Sequence, residues 1–109
     1  MTIELTELTF DQFVSDNSCA LIDCWAPWCG PCRRMGPIID EISKDLHGKI
    51  AVGKLNTDES PGIAARFQIN AIPTLLIFKD HLLVGSLVGL RPKQDILEYL
   101  NSNDIVYDV

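Results

Sequence analysis

No apolar run in this 109-residue chain approaches the ~20 residues that a membrane-spanning helix needs. Basic residues are scarce: nine Lys and Arg stand against 15 Asp and Glu, a net charge of −6. There is no basic stripe to neutralise phosphates, which argues against a nucleic-acid partner. The start, Met1 to Glu7, has neither a basic n-region nor an apolar signal core. A cytoplasmic protein is therefore expected, and the cytoplasm keeps thiols reduced. There is no internal repeat, low-complexity segment or linker. The Gly-rich fingerprint of a dinucleotide site is also missing. The length suits one compact domain, residues 1–109, and is too short for two. With 47% hydrophobic and 22% charged residues, a core can form without covalent staples.

What the chain does have is Trp25-Ala26-Pro27-Trp28-Cys29-Gly30-Pro31-Cys32. An apolar run from Ala20 to Trp25 leads in, and a helical pattern leads out. A Cys-x-x-Cys at the joint between a strand and a helix is a redox-site signature.

In chain order, Ile3 to Leu8 reads as a short edge strand. Thr9 is placed to cap a helix over Phe10 to Asp16, which Asn17-Ser18 ends. Ala20 to Trp25 is apolar at both parities, the mark of a strand buried on both faces. A helix from Cys29 or Pro31 to about Leu46 follows, with Met35, Ile38, Ile39, Ile42 and Leu46 on its inner face. Pro37 is expected to kink it, and Gly48 to stop it. Ile50 to Asn56 is a strand, and Ser60-Pro61 opens a short helix through Ile63 and Phe67. Strands over Thr74–Phe78 and Leu82–Val88 flank a tight turn at Asp80-His81. Pro92 opens a last helix with Ile96, Leu97 and Leu100 inward. The order β-α-β-α-β-α-β-β-α implies an α/β fold with parallel pairing and an antiparallel hairpin at the edge. The tail, 101–109, is expected to fray.

The thiolate is the nucleophile of thiol–disulfide exchange. At neutral pH a free cysteine of pKa ~8.5 is a few per cent thiolate, whereas one lowered to ~7 is about half ionised. Cys29 stands where a helix begins, and unpaired N–H groups and the helix dipole favour a thiolate there. Cys29 is therefore assigned as attacker. Cys32, one turn in and expected to be the better buried, is assigned as resolver. Asp23 lies mid-strand among apolar residues. Burial raises a carboxyl's pKa and equips it to carry a proton for the second thiol. Lys54, midway along the next strand, is its candidate charge partner; an exposed edge-strand lysine is the plain alternative. Pro73 must begin its strand, since it lacks the N–H of a ladder; the turn Ile72-Pro73 can offer free backbone groups to an extended peptide. Trp25 reads as core and Trp28 as a surface plate for a partner. His47 and His81 read as solvated.

Cys19 and Cys24 open a competing reading, a metal-binding electron carrier on Cys19, Cys24, Cys29 and Cys32. Cys24-x₄-Cys29-x₂-Cys32 matches a plant-type iron–sulfur run, but no further cysteine follows Cys32. Four cysteines can also hold zinc. Against this, Cys24 should point to the face opposite Asp23. A Cys19–Cys24 disulfide is excluded in an extended strand, where five residues span roughly 16 Å. Both read best as small buried hydrophobes, Cys19 partly exposed.

These residues resemble the thioredoxin family. Asp23 through Cys32, Pro37, Lys54, Ile72-Pro73-Thr74 and Gly89 carry the likeness, which spans about residues 5 to 100. It implies a five-stranded mixed sheet flanked by four helices, with Pro73 cis beside the cysteines. It implies a reversible Cys29–Cys32 disulfide and no bound cofactor, Cys29 as nucleophile, Cys32 as resolving thiol, Asp23 as proton carrier and Lys54 near it. The implied substrate groove is Trp28, Gly30, Pro31, Ile72, Pro73 and Gly89. The implied partners are thioredoxin reductase, which would carry the NADPH and flavin, and disulfide-containing target proteins; the chain itself is expected to be a monomer. The expected activity is protein-disulfide reduction. A disulfide oxidant or isomerase of the same fold and a non-catalytic interaction module stand as alternatives. Departures from the family pattern are Cys24 in place of an aromatic residue, Ala71 and His81 in place of glycines, and a longer C-terminal end.

Overall fold

A computed structural model describes residues 1–105. Five strands and four helices alternate: β1 (Thr2–Leu5), α1 (Phe10–Asp16), β2 (Cys19–Trp25), α2 (Gly30–Asp45), β3 (Ala51–Asn56), α3 (Pro61–Arg66), β4 (Thr74–Lys79), β5 (Leu82–Val88) and α4 (Lys93–Ser102). The sheet order is β1-β3-β2-β4-β5, so β2 is central and β3 is an interior strand. None of the described helices is long and apolar enough to cross a membrane.

β1 and β2 run parallel to β3, while β4 runs antiparallel to β2 as well as to β5. The expectation of parallel strands with one antiparallel edge is corrected here. Its cause is the length of α3. β3 ends beside Trp25, where Asn56 pairs with it. A six-residue helix advances only about 9 Å, too little to carry the chain back along the sheet. Thr74 therefore starts opposite Cys24, at the same end, and β4 must run the other way.

The central strand buries both faces, as its mixed apolar parity requires. Leu21 packs with Met35, Ile39, Ile42, Leu75, Ile77 and Ile96 on the α2/α4 side. Ala20, Ile22 and Cys24 pack with Phe10, Ile63, Leu76 and Phe78 on the α1/α3 side. Asp23 shares the parity of Leu21, so it faces α2, with Cys24 on the reverse face as expected.

Three helix caps differ from expectation. Thr9 and Ser60 occupy the N-cap positions of α1 and α3, yet neither side chain bonds its helix. The Thr9 hydroxyl accepts the Thr6 N–H at 2.9 Å instead. As expected, α2 ends at Asp45 with Leu46 as its C-cap, and Gly48 (φ +84°) makes the left-handed turn beyond it; Pro37 lies inside the helix. Pro92 is the cap of α4 rather than its first residue. Asp80 and His81 both hold positive φ, 51° and 72°, the two-residue hairpin geometry expected of them.

The tail does not fray as far as Ile105. Asn101 and Ser102 close α4. Ile105 is buried in the α2/α4-side core, and its N–H bonds the Leu100 carbonyl at 3.1 Å. The apolar Ile105 side chain anchors the start of the tail. The rest of the tail, residues 106–109, lies outside the described residues.

Candidate active site

Cys29 and Cys32 form a disulfide, with Cα atoms 5.2 Å apart. Cys29 is the N-cap residue of α2, with extended backbone (φ −91°, ψ 112°), and Pro31 sits in the first turn. Proline suits that turn because its missing N–H would have had no helical partner. The Cys29 Sγ accepts the Cys32 N–H at 3.1 Å and lies 3.8 Å from the Ile72 carbonyl oxygen. The helix thus aims a backbone donor at the sulfur that would carry charge as a thiolate. The expected difference in burial is absent, since Cys29 is 4% exposed and Cys32 5%. What separates the two sulfurs is their position on α2, one at its cap and one inside it.

The cis peptide Ile72-Pro73 packs beside this pair. Pro73 is buried and Ile72 half-buried. Gly89 joins them through its N–H, which bonds the Pro73 carbonyl at 2.8 Å. Its φ of +96° is one that a side chain would resist. Gly30 and Pro31 are exposed on the first turn of α2. Trp28 is 68% exposed, and its indole N–H donates to Asp58 at 3.0 Å, a partner the sequence reading did not identify. Trp28 and Ile72 line a shallow hollow of about 280 Å³. Val88 and Leu90, also exposed, flank Gly89 and extend this apolar rim. Trp25, expected in the core, is half-buried, and its indole nitrogen has no hydrogen-bond partner.

Asp23 is 2% exposed, and one carboxylate oxygen makes no hydrogen bond. Burial pushes its carboxyl up to about 6; the Lys54 ammonium opposes that rise, and Asp40 and Glu4 add to it. Lys54 neighbours Asp23 in the sheet register, but the expected ion pair between them is not formed. The Lys54 Nζ bonds Asp40 on α2 at 2.9 Å, and Lys54 reaches Asp23 only through its field. It is not on an edge strand either, because β1 covers β3.

Cys24 is fully buried, and burial followed by the Asp23 charge pushes its thiol up to about 12. It is a packing residue with no accessible thiolate. Cys19 is half-buried at the far end of β2, beside a larger cavity of about 490 Å³ that also adjoins the exposed His47. The four cysteines therefore do not converge. Among the described residues no group of three or more His, Cys, Asp and Glu could hold a metal.

A disulfide at a helix start, seated against a cis-proline turn on an α/β sheet, defines a dithiol–disulfide oxidoreductase. The comparison with known families agrees. The thioredoxin family profile matches residues 1–102. The chain is 46% identical over 101 residues to thioredoxin 1 of Nostoc sp., covering 92% of this chain and 94% of that one. It is 39% identical over 101 residues to a thioredoxin of Staphylococcus aureus, covering 93% and 96%. It is 44% identical over 96 residues to the M-type chloroplastic thioredoxin of Spinacia oleracea, covering 87% of this chain and 53% of that protein. The chain belongs to the thioredoxin family, and it is a protein-disulfide oxidoreductase acting by dithiol–disulfide exchange.

Proposed function

We propose that this chain runs the exchange as a general protein-disulfide reductase. The observation that carries this reading is the Cys32 N–H held on the Cys29 sulfur at the cap of α2. The same donor stabilises a thiolate at Cys29 once the disulfide is reduced. That thiolate attacks one sulfur of a target disulfide, forms a mixed disulfide, and releases the target's other sulfur as a thiolate that takes up a proton. Asp23 accepts the Cys32 proton. The Cys32 thiolate then attacks the Cys29 sulfur of the mixed disulfide, expelling the target's second sulfur as a thiolate that takes up a proton, closing the Cys29–Cys32 ring and leaving Asp23 to give its proton back to solvent. Two electrons pass to the target, and a flavin- and NADPH-dependent partner such as thioredoxin reductase returns them. Trp28, Gly30, Pro31, Ile72, Pro73 and Gly89 form the docking rim, with the Ile72 carbonyl beside Cys29 placed to meet an extended target backbone.

The direction of exchange follows from the residues between the cysteines. Gly30 and Pro31 carry no charge, so the helix start is the main support for the thiolate within the motif. A reduced form stabilised only this far makes a reductant rather than a strong oxidant. With dithiothreitol as electron source, the protein should accelerate insulin reduction, read as turbidity from the precipitating chain. No acceleration over dithiothreitol alone would replace this reading with that of a non-catalytic interaction module.

A further inference from the structure

Three carboxylates surround one ammonium beneath this site. Lys54 sits in register between Glu4 of β1 and Asp23 of β2, and Asp40 stands over it on α2. Only Asp40 takes the ammonium, at 2.9 Å. Lys54 is the better buried member of that pair, its side chain 17% exposed against 59% for Asp40. Its Nζ also lies beside Gly36, where an added Cβ would stand 3.9 Å away. Cys32, Gly36 and Asp40 are spaced i, i+4, i+8 and share one stripe of α2. Asp40 is about 12 Å further along that helix than Cys32. The ion pair therefore draws the ammonium along α2, away from the cysteine end, and an oxygen of Asp23 is left without a partner.

We propose that Asp40 is a positioning residue for the exchange reaction: by holding the Lys54 ammonium, it keeps Asp23 unpaired and free to take and return a proton. The inference rests on Asp23 being the proton carrier. An ammonium bonded directly to Asp23 would lock it as an anion and weaken it as a base. With the ammonium held on Asp40, its field acts on Asp23 without a hydrogen bond. The other groups around Asp23 do not supply this control. Glu4 and Asp40 repel its charge, Leu75 of β4 is neutral opposite it, Cys24 faces the other side of the sheet, and Cys29 and Cys32 are joined.

The test is a carboxyl-carbon NMR titration of Asp23 in the oxidised protein, paired with the pH profile of turnover. Asp40 is largely exposed, so Asp40→Asn should fold. It should release Lys54 to Asp23 and lower the Asp23 midpoint by about one pH unit or more. Asp40→Glu should restore most of the shift. In a Lys54→Gln background, Asp40→Asn should lower the midpoint much less, because only Asp40's own repulsion of Asp23 is then lost. An unmoved midpoint in the Asp40→Asn variant would overturn the inference. So would an equal drop in both backgrounds, which would mean Asp40 acts by its own charge. If the midpoint falls as expected while the turnover profile stays put, Asp40 still governs the Asp23 midpoint through Lys54, but Asp23 is not the proton carrier and Asp40 has no part in the exchange.

Discussion

The Cys32→Ser variant is expected to accumulate a covalent adduct with a disulfide substrate, whereas Cys29→Ser is expected to form none. Both substitutions should cut turnover by at least about a thousandfold, as removal of a covalent nucleophile or its resolving partner does. The two cysteines are about equally buried as residues, so exposure is not the basis of the assignment. It rests on the cap position of Cys29, where the Cys32 N–H and the Ile72 carbonyl converge on its sulfur. Cys32 lies inside the first turn, within bonding reach of Cys29. Non-reducing electrophoresis with mass mapping distinguishes the outcomes. Adducts through Cys32 in the Cys29→Ser variant, and none through Cys29 in Cys32→Ser, would reverse the roles.

Asp23→Asn is expected to stabilise the fold and slow its chemistry at once. The folded carboxyl titrates near 6 against an ordinary value of 3.8, so between those pH values the folded chain binds more protons than the unfolded one. Stability therefore falls as pH rises through this window and is lowest above it. Two pH units correspond to about 3 kcal/mol at most. Asp23→Asn should gain up to that amount at pH 7.5 and nothing near pH 3, read by urea unfolding at both values. Turnover near neutrality should drop on the order of ten- to a hundredfold, with loss of the ionisation near pH 6 from its profile. An unchanged pH profile would remove Asp23 from the mechanism, and an unchanged stability difference between the two pH values would remove its buried charge.

The contrast between these variants shows which parts of the site the sequence carries. Strands and helices were legible because their apolar spacing is set by burial, and β2 with both faces apolar had to lie inside the sheet. Cys29 and Asp23 were legible for a related reason: one sits at a strand–helix joint, the other is a charge in an apolar run. The direction of β4 was not legible, because it depends on how far α3 carries the chain rather than on the residues of β4. Nor was the partner of Lys54. Its choice among Glu4, Asp23 and Asp40 is settled in three dimensions, although the i, i+4, i+8 spacing of Cys32, Gly36 and Asp40 was a signal that one helix stripe joins them. The equal burial of the two cysteines escaped for the same reason, since Cys29 meets Ile72, 43 residues further along the chain. Ile105 was misread because the short apolar run that it opens, after a polar stretch, is too brief to show a period.

The most direct measurement is the reduction potential of the Cys29–Cys32 pair, equilibrated against glutathione redox buffers and read by thiol alkylation and mass spectrometry. A reductase must hold a potential more negative than the glutathione couple, about −220 to −260 mV by extraction methods. The protein should therefore remain disulfide-bonded in buffers that keep glutathione largely reduced. A potential well above that range, toward the ~−120 mV of strong oxidants, would contradict the reductase account and assign the same cysteines to disulfide formation.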